Sequence, residues 1–537
     1  MPTIDVSQLN IIATILGTFT IVYGLIAVKI KNTWYLVPAV VVGIVLGPIS
    51  AKLLDAERWI DVGSPVKDDV TLGVMRVMIA IQLVIAGYQL PGRYLQLRAK
   101  EMAVCLFPVM TLMWLATAGC VLLMIPKLTF ISALIVAACV TSTDPVLSQA
   151  VAKGPFADKY IARPLREIIS AEAGANDGFA SPFLMLGVSL TLQSSSDHGS
   201  ALTSEDAGLA LKYWLVEALL YIVLVAIIYG TFIGFCARKA VEYSLARRWI
   251  DTESYLLFPT ALGLFIVGTC GVIGTSDLLA CFAAGCVLNW DNQFLAETKR
   301  RHDEVNSCID VLLNYGGFMY IGITIPWELF HQPDITGITL AKLIGLGFLV
   351  LILRRVPALL VCYRMMPAAV KNWKEAIFMG YFGPIGVGAI YYLEHTRHLF
   401  LAEDYLNSGE KDLLAALTPV VYFLALFSIA VHGVSIPALN AIFALYGVQP
   451  VTYDAEEIRR RSIYIPTPTN AVRADEDMFI AFNRFSRPNY GTKILAQFHQ
   501  DSDLRRVGTL LDPPRHKVRR HATFELDHIG PKNETHI

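Results

Sequence analysis

Apolar residues occupy the first 449 positions in long runs that short polar breaks separate. A helix needs about 20 apolar residues to cross the hydrocarbon core of a bilayer. The runs therefore predict about thirteen transmembrane helices, of which 33–50 is short, and the long run 254–292 is divided into two. The predicted spans are 9–30, 33–50, 70–90, 101–125, 128–152, 162–193, 211–237, 254–273, 275–292, 305–326, 338–363, 374–395 and 412–446.

Composition agrees with an all-α polytopic membrane protein and argues against a soluble enzyme. Of the 537 residues, 55% are apolar and 17% are charged, whereas soluble domains carry about 25% charged residues. A net charge of −1 gives no reason to expect nucleic-acid binding. The nine cysteines lie mostly inside apolar runs and form no CxxC pair, so we interpret them as packing residues.

The basic residues of the loops predict the orientation of the spans. With the N-terminus outside, the inner loops carry 19 Lys and Arg residues and the outer loops and span edges carry 8. This bias follows the positive-inside rule. Thirteen spans then place the polar segment 450–537, which contains 14 basic and 12 acidic residues, in the cytoplasm. The first run follows no basic segment, so we expect a retained span rather than a cleaved signal peptide.

The predicted fifth span contains the segment Thr141-Ser142-Thr143-Asp144-Pro145. Proline removes a backbone donor and disfavours helical geometry at the residue before it. The sequence therefore predicts a broken helix at this depth, where irregular backbone is tolerated only if it is buried or lines water. A proline kink with its backbone groups satisfied by Ser and Thr is the structural alternative.

The predicted sixth span contains the segment Glu172-Ala173-Gly174-Ala175-Asn176-Asp177, which carries two acids. Intramembrane acids are costly and are functional candidates by default. Buried charges persist mainly when they are paired, and one arginine of the mid-span pair 354–355 is suited to Glu172. Asp177 would then be the acid without a permanent partner, free to take a proton or a cation.

The predicted twelfth span is interrupted by glycines at 380, 383, 386 and 388 and by a proline at 384. It runs opposite to the fifth span, and paired interruptions in oppositely oriented segments indicate an inverted-repeat transporter with a site near the bilayer midplane. Asp277 has two interpretations: it faces a cation pathway, or it begins a helix together with Ser276.

At the segments TSTDPV, AEAGANDG and Arg354-Arg355, the chain resembles the monovalent cation:proton antiporter-1 family, and GTSDLLACFAAGCVLNW and YFGPIGVGAIYYLEH resemble its fungal plasma-membrane Na+/H+ antiporters. The resemblance covers residues 10–450. It implies inverted repeats, two crossing broken helices and a homodimer. It also implies a six-helix core domain at 101–193 and 338–446, a dimerisation domain at 9–90 and 254–326, and a linker at 211–237.

The resemblance also implies roles for individual residues. Asp177 would bind the cation or the proton, with Asn176 as its partner, and Thr143 and Asp144 would complete the Na+ site. Glu172 and Arg355 would form an ion pair in the core, and Ser142 and Asp277 are candidate pathway residues. Two departures from many relatives are Ala173, where a serine is common, and the lack of an arginine in the second broken span.

The expected activity is exchange of Na+, Li+ and, as a further candidate, K+ for H+ across the plasma membrane, serving salt tolerance and pH and cation homeostasis. No nucleotide-binding GxxxxGK[ST] loop occurs and no cofactor is expected. A monovalent cation channel, another cation-coupled transporter and a membrane scaffold are the alternatives. The tail is expected to begin with a short helix at 454–461 and to bind regulators. The arginines of that helix have two interpretations: they contact anionic lipid, or they are simply solvated at the end of the last span.

Overall fold

The computed structural model describes ten segments of the chain. They are residues 8–31, 37–54, 66–152, 155–195, 204–301, 305–401, 407–451, 456–459, 471–473 and 478–481. The C-terminal sequence from 482 onward, including most of the predicted tail, lies outside the described residues.

Helices make up almost all of the described residues before position 446. In the first part of the chain they are α1 (Gln8–Lys31), α2 (Val37–Leu46), α3 (Val66–Gln89), α4 (Tyr94–Leu97), α5 (Ala99–Val104), α6 (Met110–Met124), α7 (Phe130–Cys139), α8 (Pro145–Ala152), α9 (Pro155–Tyr160), α10 (Arg163–Phe179) and α11 (Ser181–Ser195). In the second part they are α12 (Ser204–Tyr213), α13 (Ala226–Arg247), α14 (Thr252–Ile273), α15 (Asp277–Leu288), α16 (Gln293–Arg300), α17 (Val305–Thr324), α18 (Leu340–Leu353), α19 (Val356–Cys362), α20 (Trp373–Tyr381), α21 (Val387–Leu401) and α22 (Ser408–Leu445).

Two stretches of π-helix join α-helices into longer rods. Cys105–Val109 connects α5 to α6 and contains Pro108, whose missing N–H and ring are a common cause of such a bulge. Trp214–Val225 connects α12 to α13. Short 3₁₀ turns lie at Trp327–Phe330 and Tyr363–Met365.

Six described helical runs are long and apolar enough to cross a membrane. They are Asp68–Gln89, Ala99–Met124, Ala207–Arg247, Thr252–Ile273, Leu340–Met365 and Ser408–Leu445. Helical residues occupy each of the thirteen predicted spans, and the number of actual crossings stays a prediction. The run 254–292 is divided at 274–276, where Gly274 takes a left-handed conformation (φ 77°) and ends α14.

Both predicted helix breaks are present. The fifth span is interrupted between α7 and α8 at 140–144, and the twelfth between α20 and α21 at 382–386. Two further breaks were not predicted: one at Ala180, between α10 and α11, and one at the arginine pair 354–355, between α18 and α19.

Close backbone contact holds neighbouring helices together. At Gly43 of α2 an added Cβ would overlap the backbone of α17 at Met319, and at Gly322 of α17 it would overlap the backbone of α2. Such small-residue contacts let transmembrane helices approach closely. In the same way α3 packs against α15, which also packs against α13. The division into a core and a dimerisation domain stays a prediction.

Three short strands lie in the tail. They are β1 (Glu456–Arg459), β2 (Ala471–Arg473) and β3 (Met478–Ala481). The sheet order is β1-β3-β2 with antiparallel pairing, and Glu456 and Ala471 both pair with Ala481. The helix predicted at 454–461 is therefore wrong. Its residues Ile458 and Arg459 instead satisfy their backbone groups by pairing with β3.

The chain divides into two compact units. One comprises Met1–Val151 and Glu167–Ile442, and the other comprises Ala152–Arg166 and Phe443–Ile537.

The second unit joins a short helical loop to the end of the last helix. In this unit Phe156, Tyr160 and Phe443 form an aromatic cluster, and the N–H of Val451 donates to the carbonyl of Lys159 at 3.0 Å.

A candidate cation site at two crossing broken helices

Asp144 links the two broken spans through its carboxylate. One oxygen accepts the N–H of Leu147 in the first turn of α8 at 2.9 Å, and the other accepts the N–H of Val387 at the start of α21 at 2.7 Å. The side chain is buried. Helix N-termini present free N–H groups and a partial positive charge, so they stabilise a buried carboxylate. The proline at 145 contributes to this arrangement because it begins α8 without needing a partner for an N–H of its own.

The backbones of the two breaks also bond to each other. The N–H of Asp144 donates to the carbonyl of Pro384 at 2.9 Å. Gly386 faces the Asp144 carboxylate so closely that a Cβ there would overlap it. The glycines of the second break therefore permit the crossing by their lack of a side chain.

Asn176 of α10 holds the first break in place. Its amide oxygen accepts the N–H of Thr143 at 3.1 Å, and its amide nitrogen donates to the Thr143 hydroxyl at 2.8 Å. Both polar ends of this buried side chain are thus directed at Thr143, one residue before Asp144. The structure places Asn176 beside the break rather than in hydrogen-bond contact with the carboxylate of Asp177.

Asp177 differs from the other acids of the site. It is fully buried, and neither carboxylate oxygen has a hydrogen-bond partner within the described part of the chain. The Ser142 side chain is nearby but does not meet hydrogen-bond geometry with either oxygen. Gly388 of α21 faces it closely, since a Cβ at that position would lie 2.7 Å from Oδ1. The backbone carbonyl of Asp177 accepts the hydroxyl of Tyr392 from the same helix.

Arg354 lies at the C-terminal end of the half-helix α7. Its guanidinium donates to the carbonyls of Ser142 at 3.1 Å and Thr141 at 3.4 Å. Helix C-termini carry free carbonyls and a partial negative charge, which favours a cation there. The sequence alone suggested an acid as the partner of one arginine in this pair, and nothing in it indicated that the other would bond to a helix end.

Arg355 forms the buried ion pair with Glu172. The Nη2–Oε2 distance is 2.6 Å, and the two side chains are 3% and 2% exposed. The Nε of Arg355 also donates to the carbonyl of Met379, in the last turn of α20, at 3.0 Å. Each of the half-helices α7 and α20 thus has one arginine bonded to carbonyls at its C-terminal end.

One of the three buried acids lacks a compensating partner among the described residues. The site contains three buried acids, Asp144, Glu172 and Asp177, and the two buried arginines 354 and 355. Glu172 has Arg355, and Asp144 has two helix N-termini. Asp177 has neither, so the site keeps one negative charge for which the described residues supply no partner. A monovalent cation or a proton would neutralise it.

Asp277 begins α15, as one of its two interpretations expected, with the Ser276 hydroxyl accepting the N–H of Leu279 at 3.4 Å. Its carboxylate forms an ion pair with Arg76 of α3 and accepts the N–H of Leu278 at 2.9 Å. A role in a cation pathway stays a prediction, as it does for Ser142.

Two polar residues of α22 were missed in the sequence. The Ser428 hydroxyl accepts the N–H of Ile385, and a ring nitrogen of His432 contacts the carbonyl of Tyr381, each at 2.8 Å. Both side chains are buried and lie four residues apart. Their spacing within an otherwise apolar run was the available signal, because polar groups at this depth need partners.

The sequence model of one family, described as "sodium/hydrogen exchanger, transmembrane", matches residues 15–441. The chain belongs to this sodium/hydrogen exchanger family. The protein is accordingly a multi-pass membrane protein, and its family is one of transporters rather than enzymes.

Curated relatives and a solved structure agree with this assignment. The chain is 36% identical over 447 residues, or 81% of its length, to a protein of Schizosaccharomyces pombe named probable Na+/H+ antiporter, and 34% identical over 450 residues to Na+/H+ antiporter 2 of Zygosaccharomyces rouxii. It spans 56% and 53% of those proteins, about half of their length.

The fold matches that of a sodium proton antiporter from Methanocaldococcus jannaschii. The TM-score is 0.56 with 15% sequence identity, and the match covers 80% of this chain and 99% of the other. At this identity the likeness establishes a shared fold alone.

Proposed function

We propose that this sodium/hydrogen exchanger family member is a secondary active antiporter that exchanges Na+ for H+, with both ions binding to Asp177 in competition. One observation carries the proposal. Asp177 is the acid of the site whose two oxygens accept no hydrogen bond from the described residues, while the neighbouring acids are compensated. The names of the curated relatives support the same pair of ions.

Competition follows from the cost of burying charge. An isolated carboxylate in a low-dielectric site is expensive unless a cation or a proton neutralises it. A loaded Asp177 can therefore pass the membrane barrier, whereas an empty charged one resists the movement. Coupling results because the site changes sides only when it carries one ion or the other, as alternating access requires.

The ligands favour a hard monovalent cation. Carboxylate, hydroxyl and carbonyl oxygens suit such ions, and Asp177 and Ser142 supply two of these groups. Thr143 and Asp144 complete the site in this proposal, because the Thr143 hydroxyl keeps a second lone pair after it accepts the Asn176 amide, and the Asp144 carboxylate keeps lone pairs beyond those that accept Leu147 and Val387. Li+ and K+ are further candidate substrates in this proposal.

The wider setting is part of the same proposal. A plasma-membrane location and a role in salt tolerance and pH homeostasis belong to it because the segments GTSDLLACFAAGCVLNW and YFGPIGVGAIYYLEH resemble those of fungal plasma-membrane Na+/H+ antiporters. A homodimer, a cytoplasmic tail with regulators, and contact of the juxtamembrane arginines with anionic lipid complete it. Of those arginines, Arg460 and Arg461 lie outside the described residues.

The test is ion exchange by the purified full chain in proteoliposomes. A Na+ gradient should change the lumenal pH, and Asp177→Asn should abolish this change because a neutral amide holds neither a proton nor a cation by charge. Glu242→Gln is the matched control, since this exposed carboxylate pairs with Lys239 and is remote in sequence from both breaks. Exchange that persists in Asp177→Asn would overturn the assignment of the site.

The same vesicles distinguish an antiporter from a cation channel. An antiporter gives a rate that saturates with Na+ and depends on protons. A current that does not saturate and is independent of pH would identify a channel instead.

A further inference from the structure

Helix α22 contacts both sides of the second break. The N–H of Ile385, inside the break, donates to the Ser428 hydroxyl at 2.8 Å. The carbonyl of Tyr381, the last residue of α20, lies 2.8 Å from Nε2 of His432. Ser428 and His432 are one helical turn apart, so the two side chains project from the same face of α22.

The contacts of His432 include two carbonyl oxygens. Nε2 lies 2.8 Å from the carbonyl of Tyr381, and Nδ1 lies 2.8 Å from the carbonyl of Ser428, so a neutral ring donates to one of them and a doubly protonated ring to both. The Ser428 hydroxyl also lies 3.1 Å from Nδ1. In the tautomer with the proton on Nε2, the ring donates to Tyr381 and the hydroxyl donates to Nδ1 while its oxygen accepts the N–H of Ile385.

The result is a continuous chain from one edge of the break to the other. It runs from the N–H of Ile385 through Ser428 and His432 to the carbonyl of Tyr381. Proline at 384 has no N–H, and the break has lost the regular bonds of a helix. The side chains of α22 replace part of what the helix interruption removed.

We propose that Ser428 and His432 are positioning residues that set the conformation of the second break and thereby the affinity of the cation site. This inference rests on the proposed function of Asp177. Neither side chain is placed against the transported ion. Their effect would pass through the backbone of residues 381–387.

The backbone they hold bears directly on both acids. Within the break the Pro384 carbonyl accepts the N–H of Asp144, and the N–H of Val387 donates to its carboxylate. Gly388 lies one residue further along, facing Asp177. A shift of the break would therefore displace both the N–H of Val387 that Asp144 accepts and Gly388, which lies against Asp177.

The surroundings indicate that the loss of His432 would change geometry rather than unfold the helix. A small cavity lies beside the ring, lined by Arg354, Gly380, Tyr381 and Ser428 among others. Arg354, Arg355 and Ser428 supply polar groups to this mainly apolar space, so a water that replaces part of the ring can bond to the groups left behind. The expected defect is thus a poorer site in a folded protein.

The experiment measures the initial exchange rate of the reconstituted full chain against Na+ concentration at fixed pH. His432→Leu should raise the KM for Na+ about fivefold to tenfold, as expected from the loss of one hydrogen bond beside a buried carbonyl, and leave the maximal rate within about twofold. His432→Gln should restore most of the affinity because its amide can donate to Tyr381. Ser428→Ala should raise the KM in the same direction.

Tyr422→Phe is the matched control. This buried residue is on the same helix, and its hydroxyl bonds to Thr324 of α17 at 3.2 Å rather than to the break. Its KM should equal that of the wild type. The midpoint of thermal unfolding of each purified variant would show that a raised KM does not arise from misfolding.

Three outcomes would overturn the inference. Unchanged KM values in His432→Leu and Ser428→Ala would show that the conformation of the second break does not depend on these two side chains. A KM raised equally in His432→Leu and His432→Gln, with equal losses of maximal rate and thermal stability, would show that His432 has a packing role only. If His432→Leu fails to fold, Ser428→Ala decides alone, because it removes a single hydroxyl. A wild-type chain without exchange would overturn the proposed function first, and the inference with it.

Discussion

The two buried aspartates of the site, Asp144 and Asp177, differ in their hydrogen-bond partners. Asp144 is held by the N–H groups of two half-helices, which stabilise its charged form. Asp177 is equally buried, but the described residues offer its oxygens no hydrogen bond. The first is thus suited to fixing the crossing, and the proposed function assigns ion exchange to the second.

The ion pair of Glu172 and Arg355 gives a prediction at the same scale. Removal of one partner leaves a buried charge uncompensated, which costs about 3–5 kcal/mol. Glu172→Gln should therefore lower the midpoint of thermal unfolding of the purified protein clearly. The double variant Glu172→Gln with Arg355→Gln should recover part of that loss.

The control for this pair is Glu242→Gln, which breaks an exposed ion pair with Lys239 and should leave the midpoint almost unchanged. Intrinsic tryptophan fluorescence during heating measures all four proteins. A double variant as unstable as Glu172→Gln, or less stable, would contradict the expected coupling.

At the scale of elements, the four half-helix ends organise the site. The C-terminal ends of α7 and α20 face Arg354 and Arg355, and the N-terminal ends of α8 and α21 face the Asp144 carboxylate. Each interruption frees backbone groups that would be costly in a membrane. Here those groups bind charged side chains, so the breaks and the intramembrane charges compensate one another.

A glycine of α21 tests how closely that element must approach. Gly388→Ala would place a Cβ 2.7 Å from Oδ1 of Asp177. Alanine favours a helix over glycine by about 1 kcal/mol, so the variant should fold well and yet show a KM for Na+ raised at least tenfold or lose exchange. Na+-driven pH change in proteoliposomes and thermal unfolding, measured together, separate these effects.

Gly316→Ala is the control for that substitution because a Cβ on this residue of α17 meets nothing within 4 Å. It should exchange like the wild type. Normal Na+ affinity in Gly388→Ala would show that α21 can retreat from Asp177 without consequence.

At the scale of the molecule, the loops and the buried charges have separate tasks. In the predicted topology basic residues concentrate in alternate loops, and such a bias would orient the chain during insertion. The buried charges of Asp144, Glu172, Arg354 and Arg355 have partners inside the protein. Asp177 has none among the described residues. Apolar side chains such as Leu224, Phe232 and Phe348 remain exposed on the helices, as expected of surfaces that face lipid.

The orientation predicts which residues are accessible from each side. In a variant without the native cysteines, Lys239→Cys should react with a membrane-impermeant maleimide only from the inner face, and Lys127→Cys only from the outer face. Both side chains lie at exposed positions. Sealed right-side-out and inside-out vesicles provide the two measurements. Reaction of both cysteines from one face would show that the predicted number of crossings between them is wrong.

Some of the fold could be predicted from local chemistry. Proline and glycine placed the breaks at 140–144 and 382–386, since neither residue supports a helix interior there. The break at 354–355 was missed although Pro357 follows it, because the apolar run continues across it. The tail strand β1 was missed because its partner β3 lies about twenty residues away, beyond any local pattern.

The sequence by itself determined the membrane class, the expected orientation and the few charges that are costly at membrane depth. These depend on composition and on the spacing of residues along one chain. Only the tertiary structure decided the partners of those charges, such as the two helix ends at Asp144 and the backbone carbonyls at Arg354. It also decided that side chains of α22 contact the second break. The physical reason is that each partner is a backbone group freed by a distant interruption, and its position depends on how the helices pack.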